Sequence, residues 1–260
     1  MTTTPELGNV ALAHGPLAFA RVGSGPPVVL LHQTPRSHDE YRDVMALLAA
    51  RGHEAIAFDT PGFGDSAAVP GEPSIERWAQ AIGEGIEALG LEQPAVVGHH
   101  TGGVIAVELC HQRRGRIRAA VLSSTPLTDA AYRATPPDES GVDEGETPDA
   151  LRSSRTGLYP ADRPELLDRY VADALRAGPL ALRGHHVVGS YAMDGKLDSL
   201  PASVLLIAAD RDPHAFPQLE RMRAALPQAR AVVIAGGMVP LPDGWPEQFA
   251  AHVADFLAAG

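Results

Sequence analysis

Two histidines stand side by side between glycines in Gly98-His99-His100-Thr101-Gly102, and an aspartate, Asp212, follows the apolar run Val204 to Ala208. An imidazole takes up or releases a proton near neutral pH, and a carboxylate beside it fixes its tautomer and supports its charged form. His100 and Asp212 together therefore have the chemistry of a general base, acting on water or on an acidic substrate proton. Gly98 and Gly102 flank what reads as a strand-to-helix bend, whose central side chain is held exposed in a strained conformation. The helix that starts at Thr101 opens with N–H groups that lack an internal acceptor and attract negative charge.

These residues need strands to carry them. Pro27 to Leu31, Ala55 to Phe58 and Ala95 to Val97 are short, almost continuously apolar runs that end at polar or glycine-rich turns, as strands buried on both faces do. Tyr41 to Arg51 and Ser74 to Leu89 lie between them with apolar residues at helical spacing, and Ser74 is a candidate helix cap with Arg77 where a capping box would carry Glu. The rhythm resumes with Ile117 to Leu122, Val204 to Ala208 and Ala231 to Ile234, and a helix from Trp245 to Leu257 closes the chain. Strand and helix alternate, which predicts a mostly parallel sheet with right-handed crossovers. Residues 1 to about 25 fit either a hairpin or edge strands. From Thr125 to about Leu200 the strand rhythm stops: residues 135 to 149 read as an exposed acidic, Gly- and Pro-rich loop, followed by helices at Pro164 to Ala177 and Leu180 to Met193.

Sites in open parallel sheets form beyond the carboxyl ends of the strands. The loops there are His32-Gln33-Thr34-Pro35-Arg36, Asp59 to Ser66, the turn at residues 98–102, Asp210-Arg211-Asp212 and Gly236-Gly237-Met238. Their order and spacing resemble those of the α/β-hydrolase-fold superfamily: an HGxP-like loop, a DxPGFGxS-like loop, a Gly-x-nucleophile-x-Gly elbow, an acid loop and a late GGH-like turn. The resemblance covers roughly residues 20 to 125 and 200 to 258. It implies an α/β fold with a predominantly parallel sheet, helices on both faces and a short helical cap, divided into core residues 1–124, a cap insertion at 125–200 and core residues 201–260.

The same resemblance places His100 at the nucleophile position, Asp212 at the triad acid and Met238 where the base histidine would stand. An acyl-enzyme route through Ser, His and Asp is then unavailable. The longer histidine side chain would project into the space of the missing base, leave Met238 as an apolar pocket wall and meet Asp212 directly. Thr34 and Thr101 fall at the two positions whose backbone N–H groups form the family's oxyanion hole, with Gln33 in place of the usual glycine. Arg36 reads either as a surface partner of Asp39 or Glu40 or as a clamp for a substrate carboxylate. His214 reads as a rim residue, and the insertion contributes Arg183, His185, His186, Tyr191 and Met193. His99 reads as turned toward the strand and helix packing, and His32, Asp59 and Ser66 as loop organisers.

The resulting expectation is a cofactor-independent hydrolase of a small organic substrate, a carboxylated one if Arg36 is the clamp. The alternatives are a lyase or cyclase using the same base on a C–H proton, and a non-catalytic ligand-binding or interaction protein derived from the fold. Direct attack by His100 lacks a second activating group, and adjacent histidine pairs lack the same-face spacing of helix-borne metal ligands. With Lys plus Arg at 21 against 32 Asp plus Glu, a formal charge of -11, the surface repels nucleic acid and anionic membrane. The lone cysteine, Cys110, reads as a buried thiol, and no stretch has the length of a membrane span or the pattern of a signal peptide. A cytoplasmic monomer or homodimer is the simplest expectation.

Overall fold

The computed structural model describes residues 4–134 and 147–259. The chain opens with β1 (Glu6–Leu12) and β2 (Gly15–Gly23), an antiparallel hairpin that also forms one edge of the sheet, so both readings of the N-terminal segment hold. β3 (Pro27–Leu31), α1 (Arg42–Ala49), β4 (Glu54–Phe58), α2 (Ile75–Ala88), β5 (Ala95–His99), α3 (Thr101–Gln112) and β6 (Ala119–Ser123) follow in alternation. Four helices then intervene: α4 (Ala130–Ala134), α5 (Pro148–Arg155), α6 (Pro164–Ala177) and α7 (Pro179–Ser190). β7 (Val204–Ala209), α8 (Leu219–Ala225), β8 (Arg230–Ile234), α9 (Leu241–Gly244) and α10 (Pro246–Ala258) complete the chain. The eight strands form one sheet in the order β1-β2-β4-β3-β5-β6-β7-β8. β2 runs antiparallel to β1 and β4, and every other pairing is parallel.

Period-2 alternation divides the strand side chains between two cores. Val28 and Leu30 of β3, with Ala55, Ala57, Ala95 and Val97, meet Val44, Leu48, Phe249 and Val253 of α1 and α10. Val29 and Leu31, with Ile56, Phe58 and Val96, meet Trp78, Ile82, Val104 and Ile105 of α2 and α3. Helices on both faces therefore cover strands that water does not reach, which is why those strands read as unbroken apolar runs. α2 begins as predicted: the Ser74 hydroxyl accepts from Arg77 N–H at 3.3 Å. Thr147 caps α5 in the same way, accepting from Ala150 N–H at 3.3 Å with Pro148 in the first turn. The predicted acidic loop thus gives way to a helix by its last residues, and its residues 135–146 lie outside the described residues.

Candidate active site

The turn at the end of β5 depends on close backbone approaches. A Cβ at Gly98 would lie 2.2 Å from Gly102 O, and one at Gly102 would lie 1.9 Å from Leu31 O. Both contacts are far inside van der Waals distance, so only glycine lets α3 begin directly against β3 and β5. Between them His100 is held at φ 47°, ψ −114°. Its N–H donates to Ser123 O at 2.9 Å, and its carbonyl accepts from Gly103 and Val104 N–H at 2.9 and 3.2 Å. This over-determined backbone carries the imidazole out beyond the sheet, where its side chain is 16% exposed.

His100 Nε2 lies 2.7 Å from Asp212 Oδ2. The second oxygen of Asp212 accepts from His214 and Ala215 N–H, each at 3.0 Å, so the carboxylate cannot rotate away. Burial opposes its charge, but the His100 ring and the Ala215 N–H hold its carboxyl well below the usual range. Among the described residues His100 Nδ1 has no hydrogen-bond partner. His99 is the opposite case: it is fully buried, Nε2–H donates to Val239 O at 2.8 Å, and Nδ1 accepts from the Ser123 hydroxyl at 3.0 Å. Burial, reinforced by the neighbouring His100, lowers its pKa to about 3. The two rings meet edge to face at 4.6 Å, so neutral His99 forms the floor under His100.

Met238 is half-buried between Gly237, whose carbonyl accepts from Arg211 N–H at 2.9 Å, and Val239, which anchors His99. That short segment therefore joins the Asp212 loop to the elbow. Thr34 and Thr101 are brought together, Thr34 N–H donating to Thr101 Oγ1 at 3.3 Å. Thr101 is the first residue of α3, so its own N–H has no intrahelical acceptor. His214 stands exposed beside Asp212. His32 is a buried strut, with Nε2 accepting from Thr60 N–H at 2.9 Å and Nδ1 donating to Gln33 O at 2.8 Å. Ser66 and Asp59 brace the glycine-rich loop, Ser66 Oγ donating to Asp59 O at 2.8 Å and Asp59 accepting from Asp65 N–H at 2.8 Å.

Gln33 and Arg36 lie elsewhere in function from where their spacing suggested. Gln33 turns into the protein, its N–H and side-chain amide both directed at Glu40, at 2.8 and 2.6 Å. Arg36 is not at the mouth of the loop: its side chain is 0% exposed, pairing with Asp243 at 2.9 Å and Asp173 at 3.1 Å, while Asp39 is farther at 3.7 Å. A guanidinium engaged by two carboxylates has little left for a substrate. Burial outweighs the pull of Arg36 at the neighbouring acids, raising Glu40 to about 8 and Asp243 to about 6. Asp173 belongs to α6, so this cluster fastens the inserted helices to the core. Sequence reading named neither Asp173 nor Asp243, which lie 137 and 207 residues from Arg36.

The inserted residues also sort themselves. Tyr191 donates its hydroxyl to Glu108 at 2.7 Å and Met193 is buried in the core, so both serve packing on α3. Arg183 pairs with Glu72 at the surface, His186 is exposed, and His185 is half-buried beside Arg155. Cys110 is buried and its thiol is pushed up to about 12, which makes it inert. No helix among the described residues is long and apolar enough to cross a membrane. Likewise, no group of three or more His, Cys, Asp or Glu among them is placed to hold a metal ion.

The sheet order, the strained elbow after β5 and the acid after β7 define an α/β-hydrolase fold, and comparison with known proteins agrees. A model of the alpha/beta hydrolase fold family matches residues 26–213, and the chain belongs to that family. Bifunctional epoxide hydrolase 2 of Sus scrofa is 32% identical over 136 residues, 48% of this chain and 24% of that protein. The chain thus matches about a quarter of the length of that relative. Among solved structures, a membrane phospholipase A described as a bacterial virulence factor superposes with TM-score 0.85 at 21% identity, covering 98% of this chain and 86% of that one. An enol-lactonase from Burkholderia xenovorans LB400 superposes with TM-score 0.80 at 20% identity, covering 96% and 100%. At those identities the likeness is one of fold.

Proposed function

We propose that the protein is a hydrolase of small organic molecules in which His100 and Asp212 form a general base, replacing the serine-based triad, with no cofactor taking part. The observation that carries this reading is the 2.7 Å contact of His100 Nε2 with an Asp212 carboxylate fixed by two backbone N–H groups. An anionic Asp212 selects the tautomer in which Nε2–H donates to it, leaving the lone pair on Nδ1. The working atom is then the ring nitrogen nearer the backbone, not the far one that projects into the space of the missing base.

In the reaction, Nδ1 takes a proton from water as the water oxygen attacks an ester or lactone carbonyl. The carbonyl oxygen becomes an oxyanion beside the Thr101 N–H, with the Thr34 N–H turning to it from its long contact with Thr101 Oγ1. Collapse expels the alkoxide, which recovers the proton from Nδ1. Met238 walls the space that a base histidine would fill, and His214 borders it. The strands of residues 1–124 and 201–260 support the dyad, and residues 125–200 act as its cap.

Single-turnover hydrolysis of a panel of small esters and lactones in ¹⁸O-water tests this mechanism. Label is expected in the acid product from the first turnover, without an acyl-enzyme mass adduct; a stable adduct on any side chain refutes it. Loss of a substrate C–H deuteron without oxygen incorporation would instead assign the base to proton abstraction from carbon.

A further inference from the structure

The two oxyanion donors are held in different ways. The Thr101 N–H opens α3 and is fixed by that helix, whereas the Thr34 N–H belongs to a loop. A trans peptide group is planar, so the direction of the Thr34 N–H is set by the Gln33 carbonyl at the other end of the same plane. That carbonyl accepts from Arg36 N–H and from His32 Nδ1–H, each at 2.8 Å. Burial lowers His32 to about 4, so the ring stays neutral, with Nδ1 as donor and Nε2 as acceptor of Thr60 N–H. The Thr34 N–H then points the opposite way, toward Thr101.

The rest of Gln33 is gripped by one carboxylate. Its backbone N–H donates to Glu40 Oε2 at 2.8 Å and its side-chain nitrogen to Glu40 Oε1 at 2.6 Å, and both residues are buried. Glu40 lies in a short 3-10 turn, His38–Tyr41, whose place is fixed by Glu40 N–H on Ser37 O at 3.0 Å and by the Tyr41 hydroxyl on Leu31 O at 3.0 Å. Burying a carboxylate is costly, and among the described residues every hydrogen bond to this one comes from Gln33. A glycine at position 33 would offer its N–H alone. Gln33 and Glu40 therefore work as a pair.

We infer that Gln33 and Glu40 are positioning residues of the oxyanion site: the Glu40 carboxylate, acting through Gln33, holds the peptide group that presents the Thr34 N–H to the substrate oxygen. This rests on reading Thr34 and Thr101 as oxyanion donors beside His100. Neither positioning residue touches substrate, so the pair acts on the charge that develops in the transition state and bears on kcat more than on KM. Both carboxylate oxygens are needed for two donors, and protonation of one leaves a single acceptor. Burial, reinforced by Asp243 against the pull of Arg36, puts that change at about 8. The other groups facing Glu40 leave this range clear: Arg36 stays charged, Asp243 titrates at about 6, and burial keeps the Tyr41 and Tyr159 hydroxyls neutral far above the usual tyrosine range. The grip on Thr34 thus tightens as the pH rises through about 8.

Amide resonances of the ¹⁵N-labelled full chain, followed from about pH 6.5 to about pH 9, test the link without a substrate. The Gln33 and Thr34 signals are expected to shift together with a midpoint near pH 8, and to stay still in Glu40→Gln. A Gln33 signal that titrates without Thr34, or no titration of either, overturns the inference. Hydrolysis of p-nitrophenyl acetate reads the consequence. Glu40→Gln and Gln33→Met are each expected to lower kcat by about tenfold at about pH 9, less than the loss of a whole oxyanion donor, with KM within about twofold. Titration of His100 cancels in the native-to-variant ratio of kcat, and that ratio is expected to fall to about twofold at about pH 6.5. The double variant should lose no more than either single one, because both cut the same link. Additive losses, or a ratio independent of pH, also overturn the inference. His100→Ala separates the two readings: it should lose ester turnover and keep the Thr34 titration. Turnover that survives His100→Ala removes the base, with the positioning pair still standing on the amide titration.

Discussion

Two polar clusters in this molecule each set a basic side chain against buried carboxylate. His100 meets Asp212 beyond the sheet, and Arg36 meets Asp173 and Asp243 where the inserted helices join the core. Each joins residues more than a hundred positions apart around a buried carboxylate. They differ in what is left unengaged. His100 is 16% exposed and keeps Nδ1 without a partner among the described residues, whereas the Arg36 side chain is 0% exposed and is held by two acids. A polar cluster can act on a ligand when one donor or acceptor remains open and reachable; once all are engaged and sealed, it holds structure together.

The largest effect expected from this contrast falls on turnover. His100→Ala should reduce kcat by about 10²–10⁴-fold, the usual contribution of a positioned base, with a smaller loss of stability than a change at Arg36 because the ring's place is open to solvent that can hydrate Asp212. Steady-state kinetics on an ester from the panel would check it, and an unchanged kcat would put the dyad in the same class as the Arg36 cluster. Arg36→Met should do the reverse. Removing one member of a buried ion cluster leaves Asp173 and Asp243 uncompensated and costs about 3–5 kcal/mol of stability. If Arg36→Met instead leaves the urea midpoint in place and raises KM selectively for a carboxylated substrate, the contrast collapses and Arg36 is a ligand-binding residue after all.

The sequence shows the difference between these clusters only where it is local. The strands β3, β4 and β7 are legible because burial on both faces removes polar residues altogether. The elbow is legible because Gly98 and Gly102 answer a steric demand that no other residue meets. Arg36 misleads because its nearest acid in sequence, Asp39, is the weaker partner, and its strong partners arrive from α6 and α9. No spacing rule links residues 36, 173 and 243. α5 escapes notice because Thr147 and Pro148, its capping residues, end an acidic Gly- and Pro-rich stretch that reads as loop.

A third test uses pH to compare sealed groups with one another. His99 titrates near 3 in the folded chain against an ordinary 6.5, so its depressed pKa contributes stability that is present above about pH 6.5 and is lost as the pH falls. Glu40 and Asp243 have raised folded pKa values, about 8 and about 6, and therefore run with the opposite sign, gaining stability as the pH falls toward their unfolded values. The whole-protein curve mixes these contributions, so the informative quantity is a difference. The stability advantage of the native protein over His99→Gln should shrink by about 2 kcal/mol between pH 7 and pH 5, from equilibrium urea unfolding at each pH. A difference independent of pH would mean that His99 takes up its proton as readily in the folded chain as in the unfolded one and is not the sealed neutral floor of the site.

The smallest effect concerns how the two clusters communicate. Gly184 of α7 faces Thr34 so closely that a Cβ there would lie 2.6 Å from Thr34 Cγ2 and 3.3 Å from Phe63 Cζ. α6 is fastened through Asp173 to Arg36, two residues beyond Thr34, so α6 and α7 both touch the loop that carries Thr34. Gly184→Ala adds a methyl group to that contact. If the Arg36 cluster only fastens the insertion, α7 shifts to relieve the crowding and the dyad is untouched: kcat stays near its native value while KM rises by less than about tenfold, under about 1.4 kcal/mol. If kcat falls as well, the strain has reached the Thr34 N–H, and the sealed cluster takes part in setting the geometry in which the open one works.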